Sequence, residues 1–332
     1  MAQAQKIQFP IGRSCNYNNQ VCLGGFKPVI EDFYCTATPH SLSHASSYLL
    51  WMARDEENGL YAYNRIIQSQ SLPAPFLWYQ PPKAPMIIHP ETFNLFRGMC
   101  SNLLIKGKED KDRNRIRIRS LPGFPGPKFN LEVTSDSFHH TEEGIIDMSG
   151  NKGFGVGLDI YFPGRPDILY RVRYYEAEGT IFGKKVKGAM RYIPIFGPSG
   201  ESWETMRVFR EVQIAWVTGF SFYDNGDKEM FNMAYGKGDW GWVFASKNEG
   251  EITALSRTVK GQVELDKNED LVKASFKTPD CGDWEWVADC QLVNALSSAM
   301  PIKWALGQTR QVGDKRPSSF NVGWMEYFPS HV

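Results

Sequence analysis

The chain carries no excess charge of either sign, no long apolar run, and none of the short signatures that announce a bound nucleotide, a zinc ion or a nucleophilic serine. Lys and Arg number 37, Asp and Glu 37, and the formal net charge is zero. A neutral chain without a basic block lacks the electrostatic footprint of phosphate-backbone binding, so nucleic acid is not an expected partner. No stretch approaches the roughly 20 apolar residues that cross a bilayer. The opening MAQAQKIQFP has neither the charged start nor the apolar centre of a signal peptide. The expectation is a soluble, cytoplasmic protein without a membrane span. Six cysteines (Cys15, Cys22, Cys35, Cys100, Cys281 and Cys290) form no C-x-x-C pair, and there is no N-x-S/T sequon, which fits reduced thiols. The spacing of Cys15, Cys22 and Cys35 matches no common zinc pattern. P-loop, G-x-S-x-G and HExxH patterns are missing, and Gly153, Gly155 and Gly157 precede a strand-like run where a dinucleotide loop would follow one. No metal and no cofactor is expected.

What the chain has in quantity is aromatic mass, 14% of its residues, including 10 Trp, 14 Tyr and 21 Phe. Such side chains fill β cores and line pockets for apolar ligands. Its longest strand-like run is EVQIAWVTGFSFYD, Glu211 to Asp224. One face would show Val212, Ile214, Trp216, Thr218, Phe220 and Phe222. The other would show the smaller or more polar Gln213, Ala215, Val217, Gly219, Ser221 and Tyr223, suited to water or to a cavity wall. Asn225-Gly226 follows as a tight-turn signal, and Lys228 to Tyr235 is predicted to return as the second strand of a hairpin.

Turn signals recur from Pro122 to Asp289 (PGFPGP, SGNKG, GPSG, DNGD, KNEG) with strand-like runs between them, the pattern of antiparallel β architecture. Two domains are expected for 332 residues, divided near Glu178-Gly179 into 1–178 and 179–332. Residues 1–35 read as irregular or as a short hairpin around Gly24-Gly25. Thr38-Pro39 opens a predicted helix through HSLSHASSYLLWMAR, which would put His40 and His44 on one face. Residues 72–90, with prolines at 73, 75, 81, 82, 85 and 90, read as a linker or lid. Arg115, Arg117 and Arg119 alternate with Ile116 and Ile118, which predicts a strand with a solvated outer face. His139-His140 followed by Glu142-Glu143 reads as a polar loop, or, on a strand, as a pair of which only one histidine faces inward.

The order of Lys184 to Tyr192, then Gly200-Glu201-Ser202-Trp203-Glu204, then Glu211 to Asp224, and finally Gly323-Trp324-Met325-Glu326-Tyr327, resembles the second half of tandem lipocalin-like proteins. The group is that of hydroxyneurosporene synthase and AttH, and it includes fungal lipocalin-like Diels-Alderases. The resemblance implies an all-β chain of two lipocalin-like antiparallel barrel or sandwich domains with few short helices. It also implies a hydrophobic small-molecule partner. The acid-His pair of the hydratase-type motif is replaced here by Glu201 and Ser202, which weakens a hydratase reading.

A pericyclic reaction needs no nucleophile or metal, only a pocket that folds the substrate and donors that polarise a carbonyl. The expected function is therefore a cofactor-independent cyclase or isomerase, Diels-Alderase-like, acting on a hydrophobic polyketide or terpenoid of secondary metabolism. A hydratase or dehydratase of isoprenoid double bonds and a non-enzymatic carrier of an apolar ligand are the alternatives. Candidate catalytic groups are the Trp203 indole N–H, the Tyr223 hydroxyl, Arg207, and Glu204 as an acid in the hydratase reading. Candidate substrate-binding residues are Trp216, Trp240, Trp242, Trp286 and Trp324, with core packing as the competing account of each.

Overall fold

The computed structural model describes residues 7–8, 21–68, 75–82, 84–89, 105–162, 167–198, 206, 208–292 and 302–332. Strands dominate them, all pairing antiparallel, with four short 3-10 turns and one π turn. They form two sheets. The first is a meander through Ser43–Asp55, Leu60–Gln68, Pro75–Gln80 and Ile87–Ile88. It resumes at Ile105–Asp110 and continues through Arg115–Ser120, Phe129–Val133, Phe138–Glu142, Ile146–Gly150, Ile168–Ile181 and Lys184–Gly197, which pairs back onto Ser43–Asp55. Gly153–Phe162 lies along the other half of Ile168–Ile181 and carries Cys22–Phe26 on its far side. The second sheet starts with Gln213–Tyr223, Lys228–Gly236, Gly241–Lys247 and Glu251–Ser256. After a break it runs from Lys260–Leu265 through Leu271–Lys277, Trp284–Leu292 and Lys303–Gln311 to Ser318–Tyr327, which pairs with Gln213–Tyr223. Each sheet thus curls until its last strand meets its first, the up-and-down plan of lipocalin-like barrels, with one unpaired seam among the described residues.

The core has three compartments. One fills the first barrel (Trp51, Tyr63, Leu131, Tyr175, Met190) and one the second (Val217, Phe231, Trp286, Met325). The third and largest is contributed by both sheets and lies between them (Trp78, Phe162, Tyr174, Trp216, Trp242, Trp324). Strands that border it are buried on both faces. In Ser43–Asp55, Leu49, Trp51 and Ala53 face the first barrel while Tyr48, Leu50 and Met52 face the second sheet. This corrects the expected helix. A strand buried on both sides loses polar alternation, and its continuous apolar run imitates helical periodicity. His40 and His44 consequently share no helix face; the His40 ring lies 5.3 Å from Tyr161, and His44 meets the edge of Phe196 at 5.9 Å.

Other expectations are corrected or met in the same way. The division at 178/179 falls inside Ile168–Ile181, and Lys184–Gly197 belongs to the first sheet, so the sheets change after Gly197. The Pro-rich segment contains the strand Pro75–Gln80, whose Trp78 is fully buried against Trp304 and Trp324. It opens with the proline where a missing N–H costs least. Ile116 and Ile118 are buried, and Arg115, Arg117 and Arg119 meet Glu132 on the outer face. The hairpin at Asn225-Gly226 forms as predicted, with Gly226 at φ 89°. Its first strand begins at Gln213, after a π turn over Val208–Val212.

From Ala215 to Gly219 the small face of that strand meets packed side chains. Gly219, Gly323 and Gly307 lie side by side on three neighbouring strands, and the Trp286 indole lies over the last two of them, donating from Nε1 to the Gly323 carbonyl at 3.0 Å. A Cβ on Gly307 would stand 2.7 Å from the indole. Trp286 is therefore part of the filling of the second barrel. Trp286→Ala should lower stability by about 3–5 kcal/mol, the range for removing a buried aromatic, in guanidinium unfolding monitored by far-UV circular dichroism.

Candidate functional site

The sheets face each other across the third compartment, and its composition follows from which side chains each strand turns outward. On the second sheet, pairing aligns Asn232, Thr218 and Trp324 in one row and Ala234, Trp216 and Glu326 in the next. On the first, Phe154, Tyr174, Arg191 and Leu50 form the facing row. The rows meet at Thr218, whose hydroxyl bonds the Tyr174 hydroxyl at 2.6 Å and accepts from Arg191 Nη1. Around this polar point the walls are aromatic. Trp216, Trp240 and Trp242 pack mutually and against Phe162, with ring centroids 4.9–6.4 Å apart. Trp304 and Trp324 pack on Trp78.

Donors outnumber acceptors here. Arg191 Nε and Nη2, Asn232 Nδ2 and the indole N–H groups of Trp240, Trp304 and Trp324 are buried without a hydrogen-bond partner among the described residues. A buried donor left without an acceptor costs about 1–3 kcal/mol, so such a cluster calls for an explanation in terms of water or a ligand.

At one end of the compartment a groove of about 430 Å³ opens between the sheets, bordered by Glu176, Lys187, Phe222, Tyr223, Lys228 and Ser319. Lys228 crosses it to Glu176 at 2.6 Å. Phe222 leads inward, its ring 5.0 Å from Phe220 and 5.7 Å from Phe154, and Phe154 stands 5.8 Å from Tyr174.

Of the residues expected to do chemistry, Trp203, Glu204 and Arg207 lie outside the described residues, as does Glu201. Tyr223 borders the groove, but its hydroxyl is engaged: it donates to Glu229 Oε2 at 2.8 Å, and the Arg316 guanidinium lies over its ring at 3.9 Å. Burial and the Glu229 charge raise its pKa, so it stays a phenol that clamps the hairpin to the loop before the last strand. Trp216, Trp240, Trp242 and Trp324 lie in the compartment between the sheets, each at most 3% exposed, and Trp286 lies apart in the second barrel.

Inside the first barrel the sequence singled out His140 and Glu142 but not their partners Tyr63 and Arg65. His139 and His140 are on a strand, Phe138–Glu142, not in a loop. His139 points outward to Asp147 at 2.9 Å; His140 and Glu142 point inward and are completely buried. The Glu142 carboxylate accepts from Tyr63 and, at 2.8 Å, from Arg65. Burial pushes its carboxyl up, but Arg65, His140 and Tyr63 together overcome this and hold it at about 2. Arg65 is also covered by the Phe129 ring at 4.2 Å. His140 Nε2 stands 3.6 Å from Glu142 Oε1, just beyond a normal hydrogen bond, and burial lowers its pKa against the pull of Glu142. The alternation of Tyr63 with Arg65 and of His140 with Glu142 was the available signal, since partners two apart on a strand share a face.

No family model matches the sequence, and no curated protein matches it. Among solved structures, the chain is similar to a Nitrosomonas europaea protein provisionally named AttH, at 14% identity and a TM-score of 0.42, over 86% of this chain and 92% of that one.

A buried neutral histidine has a definite consequence for stability. The unfolded chain binds a proton near pH 6.5, whereas the folded pKa of His140 lies lower and burial brings that of His44 down to about 4. Below pH 6.5 the unfolded state therefore takes up protons that the folded state refuses, and stability falls by up to about 1.4 kcal/mol per pH unit for each group. Glu142 withdraws its contribution only further down, as pH falls from the ordinary carboxylate range toward 2. Urea midpoints at pH 7.5 and 5.0 should converge in His140→Phe relative to the wild type, while His139→Ala should leave the difference unchanged.

Proposed function

We propose that the chain is a cofactor-free cyclase or isomerase, of the pericyclase kind, which folds an apolar polyketide- or terpenoid-like small molecule of secondary metabolism between its two sheets. The observation that carries this reading is the groove between the sheets. Its volume of about 430 Å³ falls within the range usual for small-molecule sites, and its wall residue Phe222 packs on Phe154, which packs on Tyr174 beside the polar point where Arg191, Tyr174 and Thr218 converge.

Aromatic walls restrict a flexible chain to few conformations, which is the entropic part of such catalysis. Buried N–H and O–H donors beside them polarise a carbonyl, which is the electrostatic part, and they act strongly where water is excluded. The buried carboxyl groups among the described residues support a hydratase less well. Asp55 accepts from the Gly59 amide and Tyr61, Glu142 is held ionised, and Glu229 accepts from Tyr223, Thr253 and Arg316. None is an uncommitted acid of the sort that protonates an alkene.

The test is mass spectrometry of small-molecule extracts from the producing organism after incubation with the purified protein, with heat-inactivated protein alongside. The expected result is a new peak of unchanged mass. A product differing by one water would replace this reading with the hydratase, and a compound that co-purifies and returns unaltered would replace it with a carrier.

A further inference from the structure

We propose that Arg191 is an oxyanion-binding point, and that the molecule received between the sheets bears a carboxylate or enolate oxygen. This rests on the reading of the compartment as the ligand site and adds the chemical class of the ligand.

The ground is a comparison among the buried arginines. Arg65 is paired with Glu142 at 2.8 Å. Arg171 forks onto both oxygens of Asp159, at 2.6 and 2.7 Å. Arg173 donates to the carbonyls of Phe154 and Gly155 and stands 3.8 Å from Asp136. Arg191, 2% exposed, has no carboxylate partner among the described residues. The carboxylate in the rows of the second sheet that face Arg191 is Glu326, which accepts from Gln213 at 3.0 Å. A guanidinium cannot shed its proton to escape burial, and an unpaired buried charge costs several kcal/mol.

The geometry of what is left unbonded narrows the partner. Nη1 is spent on Thr218, while Nε and Nη2 are without acceptors. Those two nitrogens share one edge of the guanidinium, and their N–H bonds run parallel, the fork that a carboxylate accepts with both oxygens. Asn232 Nδ2 and Trp324 Nε1 belong to the residues flanking Thr218 on the neighbouring strands and also lack acceptors. A neutral carbonyl would answer one of these donors; an oxyanion answers the fork and the charge together. An enolate held here would also be an electron-rich reacting partner, consistent with a cyclisation that needs no other cofactor.

The probes are 1-pyrenebutyrate and 1-pyrenebutanol, which share their apolar body and differ in the head group. Binding to the full-length protein is followed by energy transfer from tryptophan, five of whose buried indoles surround the compartment from the second sheet. The wild type should bind the acid about tenfold more tightly than the alcohol, the ratio expected from about 1.4 kcal/mol of head-group preference. Arg191→Met should abolish the preference and leave the alcohol unaffected, and Arg191→Lys should keep part of it. Lys187→Met, on the exposed border of the groove, should change neither. Equal binding of acid and alcohol by the wild type overturns the role of Arg191 while leaving the site intact, and needs no variant to be read. A preference lost in Lys187→Met but kept in Arg191→Met overturns it as well, in favour of the surface ammonium. Failure of both probes to quench tryptophan overturns the site and with it the proposal.

Discussion

Burial on both faces of the strands between the barrels is the constraint on which the other features of the molecule depend. Each sheet must fill its own interior and also cover its partner, so Ser43–Asp55, Lys184–Gly197, Gln213–Tyr223 and Ser318–Tyr327 carry two sets of core side chains. The demand on aromatic residues follows. A second barrel interior that already holds Trp284 and Trp286 has no room for five more indoles, and Trp216, Trp240, Trp242, Trp304 and Trp324 are turned toward the first sheet. There they meet Trp78, Phe162 and Tyr170 edge-on, tilted or, for Trp240 on Phe162, stacked, contacts that add about 0.5–1.5 kcal/mol each beyond the area they bury. The same double burial removes polar alternation, so polar groups that do occur in these strands are enclosed and must find partners.

Among the described residues, the buried charged groups have found partners of opposite charge or backbone carbonyls except in one place. Inside the first barrel, Glu142 is answered by Arg65 and Tyr63; under the strand Gly153–Phe162, Arg171 is answered by Asp159; at the rim of the second barrel, Glu229 is answered by Tyr223, Thr253 and Arg316. Buried pairs of this kind add little net stability over a well-packed apolar core, but removing one partner is costly, so they fix which strands lie side by side. Against that background the Arg191 guanidinium beside Thr218 is out of character. A chain that satisfies its buried charges elsewhere carries a cost between its sheets, and local rules broken without a structural return are the mark of a site kept for another purpose.

The antiparallel β class, the Asn225-Gly226 hairpin and the outward arginines of Arg115–Ser120 were legible because each depends on local pattern: turn chemistry at fixed spacing, or period-two alternation on a strand with one wet face. What was not legible depends on long-range partners. The sequence of Ser43–Asp55 looks helical because both of its faces are dry, a fact owed to strands far along the chain. Lys184–Gly197 was placed in the second domain because a Gly-containing turn precedes it, but pairing with Ser43–Asp55 claims it for the first. The tryptophans could be read as pocket or as core; which of them would fill the second barrel and which would face the first sheet depended on register.

Arg191 shows the limit most clearly. In the stretch KGAMRYIPIF it is one more charged residue at a strand-like position, and nothing near it in sequence distinguishes it from Arg171 or Arg173. The difference is made by what faces each of them. Arg171 looks across one ladder rung to Asp159, its register partner. Arg191 faces Tyr174 and Leu50 along its own row and Thr218 across the gap, none of which carries charge. An unanswered cation could survive neutral drift at the surface at no cost; at 2% exposure it lowers the stability of every folded molecule. A methionine or leucine at this position would carry no such cost, and an anionic ligand group would offset it, which is the counter-charge that the proposed oxyanion supplies.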